Sequence, residues 1–386
     1  MTERRGEHMM EFRKHPYLQM PSTDGITVMW ETDEAGSSSV EVRRSVRKHT
    51  ECVPGEPAGM FEGQPGKMHR VRVRGLAPGA DYHYRVTSRS ESGAVQSDWN
   101  QFRTQGAAGT PFSFCVTSET GGYGGFHDHH FADATFAAIQ AHRPDFLLFA
   151  GDMASNGRDW EDWNKYLFTP GASVLGNTPF YLSPGNHEEN TPLLAELFDF
   201  PQPCNYYSFD YHSAHFTVLD STTLFRYEEQ PDGSWDAMPT EELSEDSAQM
   251  RFLRNDLEQN AGAAWKIVLF HYPPFVSGIY EVTGMRRLCP LFEQYGVDIV
   301  FNSHTIVYER SHPIKQDQVD YDGGVTYVVA GGAGAMPDWF LHKKQWHTAE
   351  SAARPHVVQV SVTGKQLDLK ACDLRGCMFD RFVIKK

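Results

Sequence analysis

The chain has 386 residues, 40% of them hydrophobic and 22% charged, the composition of a soluble globular protein long enough for two domains with cores of their own. Its net charge of -15 at pH 7 excludes binding of nucleic acid or of an anionic membrane surface through a general electrostatic field. No run reaches the length of a membrane-crossing helix, and Met1-Thr2-Glu3-Arg4-Arg5-Gly6-Glu7 lacks the apolar core of a signal peptide, so the chain as given reads as cytoplasmic, or as secreted if a leader has been removed.

Ahead of residue 106, short alternating runs such as Ile26-Thr27-Val28-Met29-Trp30 and Val71-Arg72-Val73, punctuated by Gly and Pro, predict a β-sandwich. The segment Leu76 to Val86 looks like the tyrosine-corner segment of fibronectin type III domains, with Tyr82 at the corner and Trp30 as the core aromatic. A small all-β fibronectin type III-like domain is therefore expected over 16–106, serving as a passive module or recognising a partner. The spacer Gly106-Ala107-Ala108-Gly109-Thr110 divides it from a second domain over 110–386.

Beyond the spacer, apolar strand-like runs alternate with stretches of helical spacing over 131–142, 247–260 and 284–295. Residues 206–210 and 215–220 read as a hairpin, which makes His212 and His215 structural rather than ligating. The C-terminal runs 357–362, 366–371 and 379–384 read as a three-stranded meander. No internal repeat is present.

Four of the apolar runs end in metal-ligand residue types. Leu147-Leu148-Phe149-Ala150-Gly151 leads to Asp152, the run 178–182 leads to Gly185-Asn186-His187-Glu188, residues 267–270 lead to His271, and Ile299-Val300-Phe301-Asn302-Ser303 lead to His304. Rigid apolar strands place such residues, and the loops at strand carboxyl ends carry the chemistry. Singly, Asp152 could cap a helix, Asn186 could hold a turn and either histidine could be a core residue; four in register favour one shared ion. One carboxylate, one amide oxygen and two imidazoles suit Zn²⁺, Mn²⁺ or Fe²⁺ better than Ca²⁺ or Mg²⁺.

The order of these motifs resembles the calcineurin-like metallophosphoesterases, more closely their purple acid phosphatase branch, from about Pro16 to the C-terminus. The matching segments are Ser118-Glu119-Thr120-Gly121, Gly151-Asp152, Gly185-Asn186-His187-Glu188, Phe270-His271 and 302–310, which ends in Tyr308-Glu309-Arg310. The resemblance implies an α/β fold, an αββα two-sheet sandwich behind the all-β domain. It also implies two metals sharing Asp152, the second held further by Asn186, His271 and His304. At the ligand positions of the first metal this chain has Glu119, Ser155 and Ile306. Glutamate can ligate, serine is weak and isoleucine cannot bind a metal, so the first site is degenerate and Glu119 remains a candidate for weak ligation or for capping the adjoining turn.

In the family, His187 protonates the leaving oxygen or stabilises charge beside it; its structural alternative is to orient Asp152. The family's further histidines fall at Tyr280 and Glu281, which alters the usual substrate clamp. His127-Asp128-His129-His130 could bind metal or be a solvated loop. Arg286, Arg287 and Arg310 are candidate cations for an anionic substrate. The six cysteines lack metal-type spacing, and Cys372 and Cys377 flank a turn where a bridge is possible but not required.

The expected function is metal-dependent phosphoester hydrolysis with one transition metal ion per chain (Zn, Fe or Mn), a weaker second ion conceivable, and a small-molecule phosphoester as substrate. The alternatives are a metal-binding family member without phosphatase activity, or a mononuclear non-haem iron enzyme built on Asp152, His271 and His304.

Overall fold

The computed structural model describes residues 9–48, 51–121, 131–188, 190–340 and 344–386. The tract His127 to His130 lies outside the described residues. The chain separates into two compact units, Met1–Ala107 with Gly171–Phe180, and Ala108–Pro170 with Tyr181–Lys386.

The first unit is built on two long strands, Ile26–Lys48 and Glu51–Val73, where short separate strands were expected. The first half of Ile26–Lys48 pairs with Phe12–Gln19 and its second half with Asp81–Ser90, while Glu51–Val73 follows it along the other side. The chain passes from one half to the other at Gly36, where a Cβ would lie 2.6 Å from the Met10 side chain and 2.7 Å from the Arg89 carbonyl oxygen. Pro54 and Pro57 are tolerated because Glu51–Val73 pairs on one side only.

Val28, Trp30, Val40, Val42, Tyr84 and Val86, drawn from both halves, share one core. The Tyr82 hydroxyl accepts a hydrogen bond from the Ala77 amide at 2.9 Å, the geometry of a tyrosine corner. Trp30 is fully buried, stacks on His69 and donates from Nε1 to Ser88 Oγ at 2.9 Å.

In the second unit two sheets face each other. One runs in the order Met378–Lys385, Gln366–Asp373, His356–Thr363, Phe112–Thr117, Phe146–Phe149, Phe180–Leu182. The other runs Tyr207–Tyr211, Ala214–Val218, Trp265–Leu269, Ile299–Asn302, Thr326–Ala330, Tyr308–Ser311, Thr348–Ala352. Aromatic side chains join them: Phe114 meets Phe216 and Phe301 edge-on at 5.5 and 6.1 Å, and Phe146 meets Phe209 and Phe216 at 6.1 and 5.4 Å. Burying each such ring stabilises by about 1.5–3 kcal/mol, so this layer dominates the placement of both sheets.

Helices cover the outer faces. Met250, Leu253 and Leu257 of the helix Ala248–Gln259 pack with Val268, Phe270 and Val300. That helix begins where Ser247 Oγ accepts from the Met250 amide at 3.2 Å, an N-cap. On the other sheet Phe136 of the helix Ala132–His142 meets Phe149 edge-on at 6.4 Å. The architecture is thus the expected αββα sandwich behind an all-β domain.

One helix also departs from expectation. Residues 284–295 form a 3-10 turn, Thr283–Leu288, and only then an α-helix, Cys289–Gln294. Pro290 is the cause, since proline fits a first helical turn but removes a donor and clashes further in. No helix among the described residues is long and apolar enough to cross a membrane.

Candidate metal centre

Asp152 follows the strand Phe146–Phe149 and Asn186 follows Phe180–Leu182, both at the end of one sheet, whereas His271 and His304 follow Trp265–Leu269 and Ile299–Asn302 of the other. All four strand ends meet at one point. His271 Nε2 lies 3.1 Å from Asp152 Oδ2, 3.0 Å from Asn186 Oδ1 and 3.2 Å from His304 Nδ1. Among the described residues, Asp152, His271 and His304 form a group whose ligating atoms lie within 4.8 Å of one another.

Hydrogen bonding makes this convergence chemically pointed. His271 Nδ1 lies 2.7 Å from the Ala150 carbonyl oxygen, which can only accept, so the network assigns the proton to Nδ1. An Nε2 without a proton directs a lone pair at a carboxylate oxygen, an amide oxygen and a second imidazole nitrogen. Burial and the nearby His271 lower the pKa of His304 well below the usual histidine value, which favours its neutral form. Burial works against ionisation of Asp152, but His271 and His187 outweigh it and hold the carboxyl below its usual range. Three acceptors at 3.0–3.2 Å from a fourth are the spacing that ligands about 2.1 Å from one cation present to each other, so the donor set fits a transition ion.

The backbone has been bent to achieve this. Glu119, Asp152, Tyr280 and His304 have positive φ of 70°, 55°, 68° and 69°. For non-glycine residues that conformation costs about 1–2 kcal/mol each, and such outliers cluster at functional sites. Gly151 and Gly185 let the strand ends touch: a Cβ at 151 would lie 2.6 Å from His271 Nδ1, and one at 185 would lie 2.2 Å from Asp152 Oδ1.

Two buried carboxylates brace the centre. One oxygen of Glu188 accepts from the amides of Asp152 and Gly185 at 2.8 and 2.6 Å, and the other from Met153 and Ala154 at 2.8 and 3.3 Å. Burial, then the charge of Asp152, push the Glu188 carboxyl up to about 7, against the pull of these donors. Glu119 Oε1 accepts from the Ser303 hydroxyl and, at 2.7 Å, from the His304 amide. Burial and Asp152 raise its pKa well above the usual carboxylate value. The Glu119 carboxylate therefore caps the loop that presents His304.

At the degenerate positions, the Ser155 carbonyl oxygen takes the Nδ1–H of His187 at 2.8 Å, while the His187 amide donates to Asp152 Oδ1 at 2.9 Å. The Ile306 amide donates to Asp338 Oδ2 at 2.8 Å, and the Asp338 amide returns a bond to the Ile306 carbonyl at 3.0 Å. Asp338, which no sequence motif marks, thus lies beside the first-site position.

The centre opens into a cavity of about 850 Å³ lined by Asp152, Asn186, His187, His304, Glu119 and Ile306 together with Tyr227, Trp235, Tyr272 and Tyr280. The cations that line it are Arg158 and Arg226. The three arginines suggested by sequence are placed elsewhere. Arg310 is paired with Asp380 at 2.7 Å and lies over Phe382, Arg286 is paired with Glu281 at 2.8 Å and lies over Phe275, and Arg287 is exposed outside the lining. Tyr280 lies 5.2 Å from the His304 ring, whereas Glu281 is taken up by Arg286.

Sequence reasoning also missed Tyr227, whose hydroxyl lies 2.8 Å from His304 Nε2. It sits on a hairpin, Phe225–Glu229 with Trp235–Pro239, whose signal was the turn sequence Pro231-Asp232-Gly233 between Phe225-Arg226-Tyr227 and Trp235. His215 bridges Asp210 at 2.8 Å and Asp256 at 2.9 Å, and His212 bonds the Thr110 carbonyl at 2.9 Å; neither is at the centre. No disulfide joins any of the six cysteines, Cys372 and Cys377 included.

Comparison with known proteins gives the family. The family described as calcineurin-like phosphoesterase matches residues 95–308, and the purple acid phosphatase N-terminal domain matches residues 13–104. Purple acid phosphatase 15 of Arabidopsis thaliana is 24% identical over 324 residues, covering 72% of this chain and 55% of that protein. A protein named probable inactive purple acid phosphatase 1, from the same plant, is 24% identical over 340 residues, covering 72% of this chain and 52% of its own length. The chain spans little more than half of either relative. A purple acid phosphatase from yellow lupin seeds superposes with a TM-score of 0.75 at 18% identity, over 98% of this chain and 74% of that one. With one family pattern covering more than half of its length and the other lying ahead of it, the chain belongs to the calcineurin-like phosphoesterase family and carries the N-terminal domain of purple acid phosphatases.

Proposed function

We propose that this chain is a phosphoester hydrolase that uses one transition metal ion, Zn, Fe or Mn, held by Asp152, Asn186, His271 and His304. The observation that carries the reading is the crowding of three acceptor atoms, Asp152 Oδ2, Asn186 Oδ1 and His304 Nδ1, within 3.0–3.2 Å of His271 Nε2, an arrangement that a cation relieves. In this reading residues 110–386 are the catalytic part and 16–106 a module that supplies no ligand.

A bound transition ion supplies Lewis acidity, polarising a phosphoryl oxygen and acidifying a water. The protein's own groups do the rest. The Ser155 carbonyl fixes the Nδ1–H of His187, which leaves Nε2 as the nitrogen that exchanges a proton with the leaving oxygen. Tyr272 and Tyr227 exclude water around His304, with rings 4.7 and 5.4 Å from it. Arg158 and Arg226 offer positive charge to an anionic ester in a chain of net charge -15.

A second reading, a metal-binding member without phosphatase activity, is favoured by Ile306 and Ser155 at first-site positions. Metal content per chain, with turnover of p-nitrophenyl phosphate and of a diester under added Zn²⁺, Mn²⁺ or Fe²⁺, separates the two. Activity that disappears in His304→Ala supports the hydrolase. Stoichiometric metal with no ester cleaved overturns it in favour of the second reading.

A further inference from the structure

We propose that the cavity selects phosphoesters whose leaving group carries a flat aromatic or heteroaromatic ring. This rests on the hydrolase reading and names the substrate class of that same site.

A cavity of about 850 Å³ is the size that encloses a whole organic ligand, far more than a phosphoryl group occupies beside the metal centre. What fills the remaining space is set by the walls, and besides polar groups such as Arg158, Arg226 and Thr222 these carry the rings of Phe225, Tyr227, Trp235, Tyr272 and Tyr280. Tyr272 is 2% exposed and Tyr227 bonds His304, so these two rings are built into the floor. Tyr280 and Trp235 also line the cavity, yet they are 50% and 62% exposed.

Large rings left half in water beside a polar centre lose apolar exposure only when something covers them, and flat rings cover them best by offset or edge contact. Local structure presents both of them. Tyr280 occupies a left-handed backbone position, with φ of 68°, at 5.2 Å from the His304 ring. Trp235 opens the second strand of the hairpin that carries Tyr227 to His304, directly after its Asp232-Gly233 turn. One hairpin therefore both orients a metal-ligand candidate and walls the space where a leaving group lies. An aliphatic leaving group gains only area at these rings; a planar one also gains ring-to-ring geometry.

The test compares two pairs of primary esters, each matched in reactivity at the scissile bond: benzyl with cyclohexylmethyl phosphate, and adenosine monophosphate with ribose phosphate. With the Zn²⁺-loaded full chain, the flat member of each pair should show a KM about tenfold lower, and Trp235→Ala and Tyr280→Leu should each erode that ratio towards one. A preference in the benzyl pair alone assigns simple aryl esters, and one in the nucleotide pair alone assigns heteroaromatic bases; either supports the proposal. Equal KM values within both pairs overturn it. If none of the four is hydrolysed, the hydrolase reading fails separately, and calorimetric binding of the same compounds still decides: the same tenfold preference in Kd supports an aromatic-selective cavity, and its absence refutes it.

Discussion

His304 is held from both ends: its ring by the Tyr227 hydroxyl at 2.8 Å from Nε2, and its backbone by the Glu119 carboxylate at 2.7 Å from the amide nitrogen. Groups that orient a ligating imidazole tune metal affinity without touching the metal, typically by about 10–100-fold. Tyr227→Phe is therefore expected to weaken Zn²⁺ binding about tenfold in a competition titration with a chromogenic chelator, while unfolding stability changes by about 1 kcal/mol. Unchanged affinity would reduce Tyr227 to a wall residue.

Glu188 gives a sharper case, because both of its oxygens accept amide hydrogens. Glu188→Gln would turn a donor towards one pair of those amides, at an expected cost of about 1–3 kcal/mol in denaturant unfolding, with metal content falling alongside. At this scale the sequence exposed the ligands and hid their supports. Asp152, Asn186, His271 and His304 stand out because each ends an apolar run. Glu188 was in view within its motif, but nothing in a linear pattern shows that its carboxylate turns back on the amides of 152–154. Asp338 reaches Ile306 from 32 residues away, a contact that only the fold creates.

Elements add a pH-dependent tie between a strand and a helix. His215, on Ala214–Val218, binds Asp256, on Ala248–Gln259, and Asp256 also accepts from Thr217 and Ser208 at 2.7 and 2.6 Å. Burial works against the charged His215, but its bonds to Asp256 and Asp210 prevail and raise its pKa; burial also opposes ionisation of Asp256, but its partners depress its pKa. The signs then differ. The His215 contribution is complete below its ordinary pKa of 6.5 and is lost as pH rises through the raised folded value; that of Asp256 is complete above its ordinary 3.8 and is lost as pH falls through the depressed one. The stability gap between the wild type and His215→Asn should thus be widest at about pH 5.5 and narrow by about pH 8.5 in chemical unfolding. A gap that stays constant would show that His215 acts through packing.

The same elements show what periodicity conveys. Apolar spacing over 247–260 marks the helix 248–259, and the C-terminal runs mark the meander, because both signals are local. The hairpin 225–239 was not read, since its buried face is short, Phe225 with half-buried Tyr227 and Ala237, and the remaining positions are mostly exposed and polar, too little to impose a period. Residues 171–180 group with the first unit although nothing in their composition sets them apart from the second.

Considered as a whole, the molecule places two of the proposed ligands on each sheet of the second unit. Asp152 and Asn186 extend one sheet and His271 and His304 the other, and the aromatic layer of Phe114, Phe146, Phe216 and Phe301 holds the sheets together away from the centre. An ion bound only by the folded chain adds stability by mass action, about 2.7 kcal/mol at a hundredfold excess over Kd. The ligands all belong to the second unit, and local pinning is expected to act there. Hydrogen exchange should therefore show, on adding Zn²⁺ to the chelator-treated chain, slower exchange at the amides of 150–156, 185–188, 270–272 and 303–306, with the exchange of 12–103 unaltered. Protection spread evenly over both units would mean that the ion acts through global stability rather than by pinning these strand ends. No change at the four segments would remove the shared cation from the account altogether, and with it the reason for three non-glycine ligand and support residues, Glu119, Asp152 and His304, to be held at positive φ.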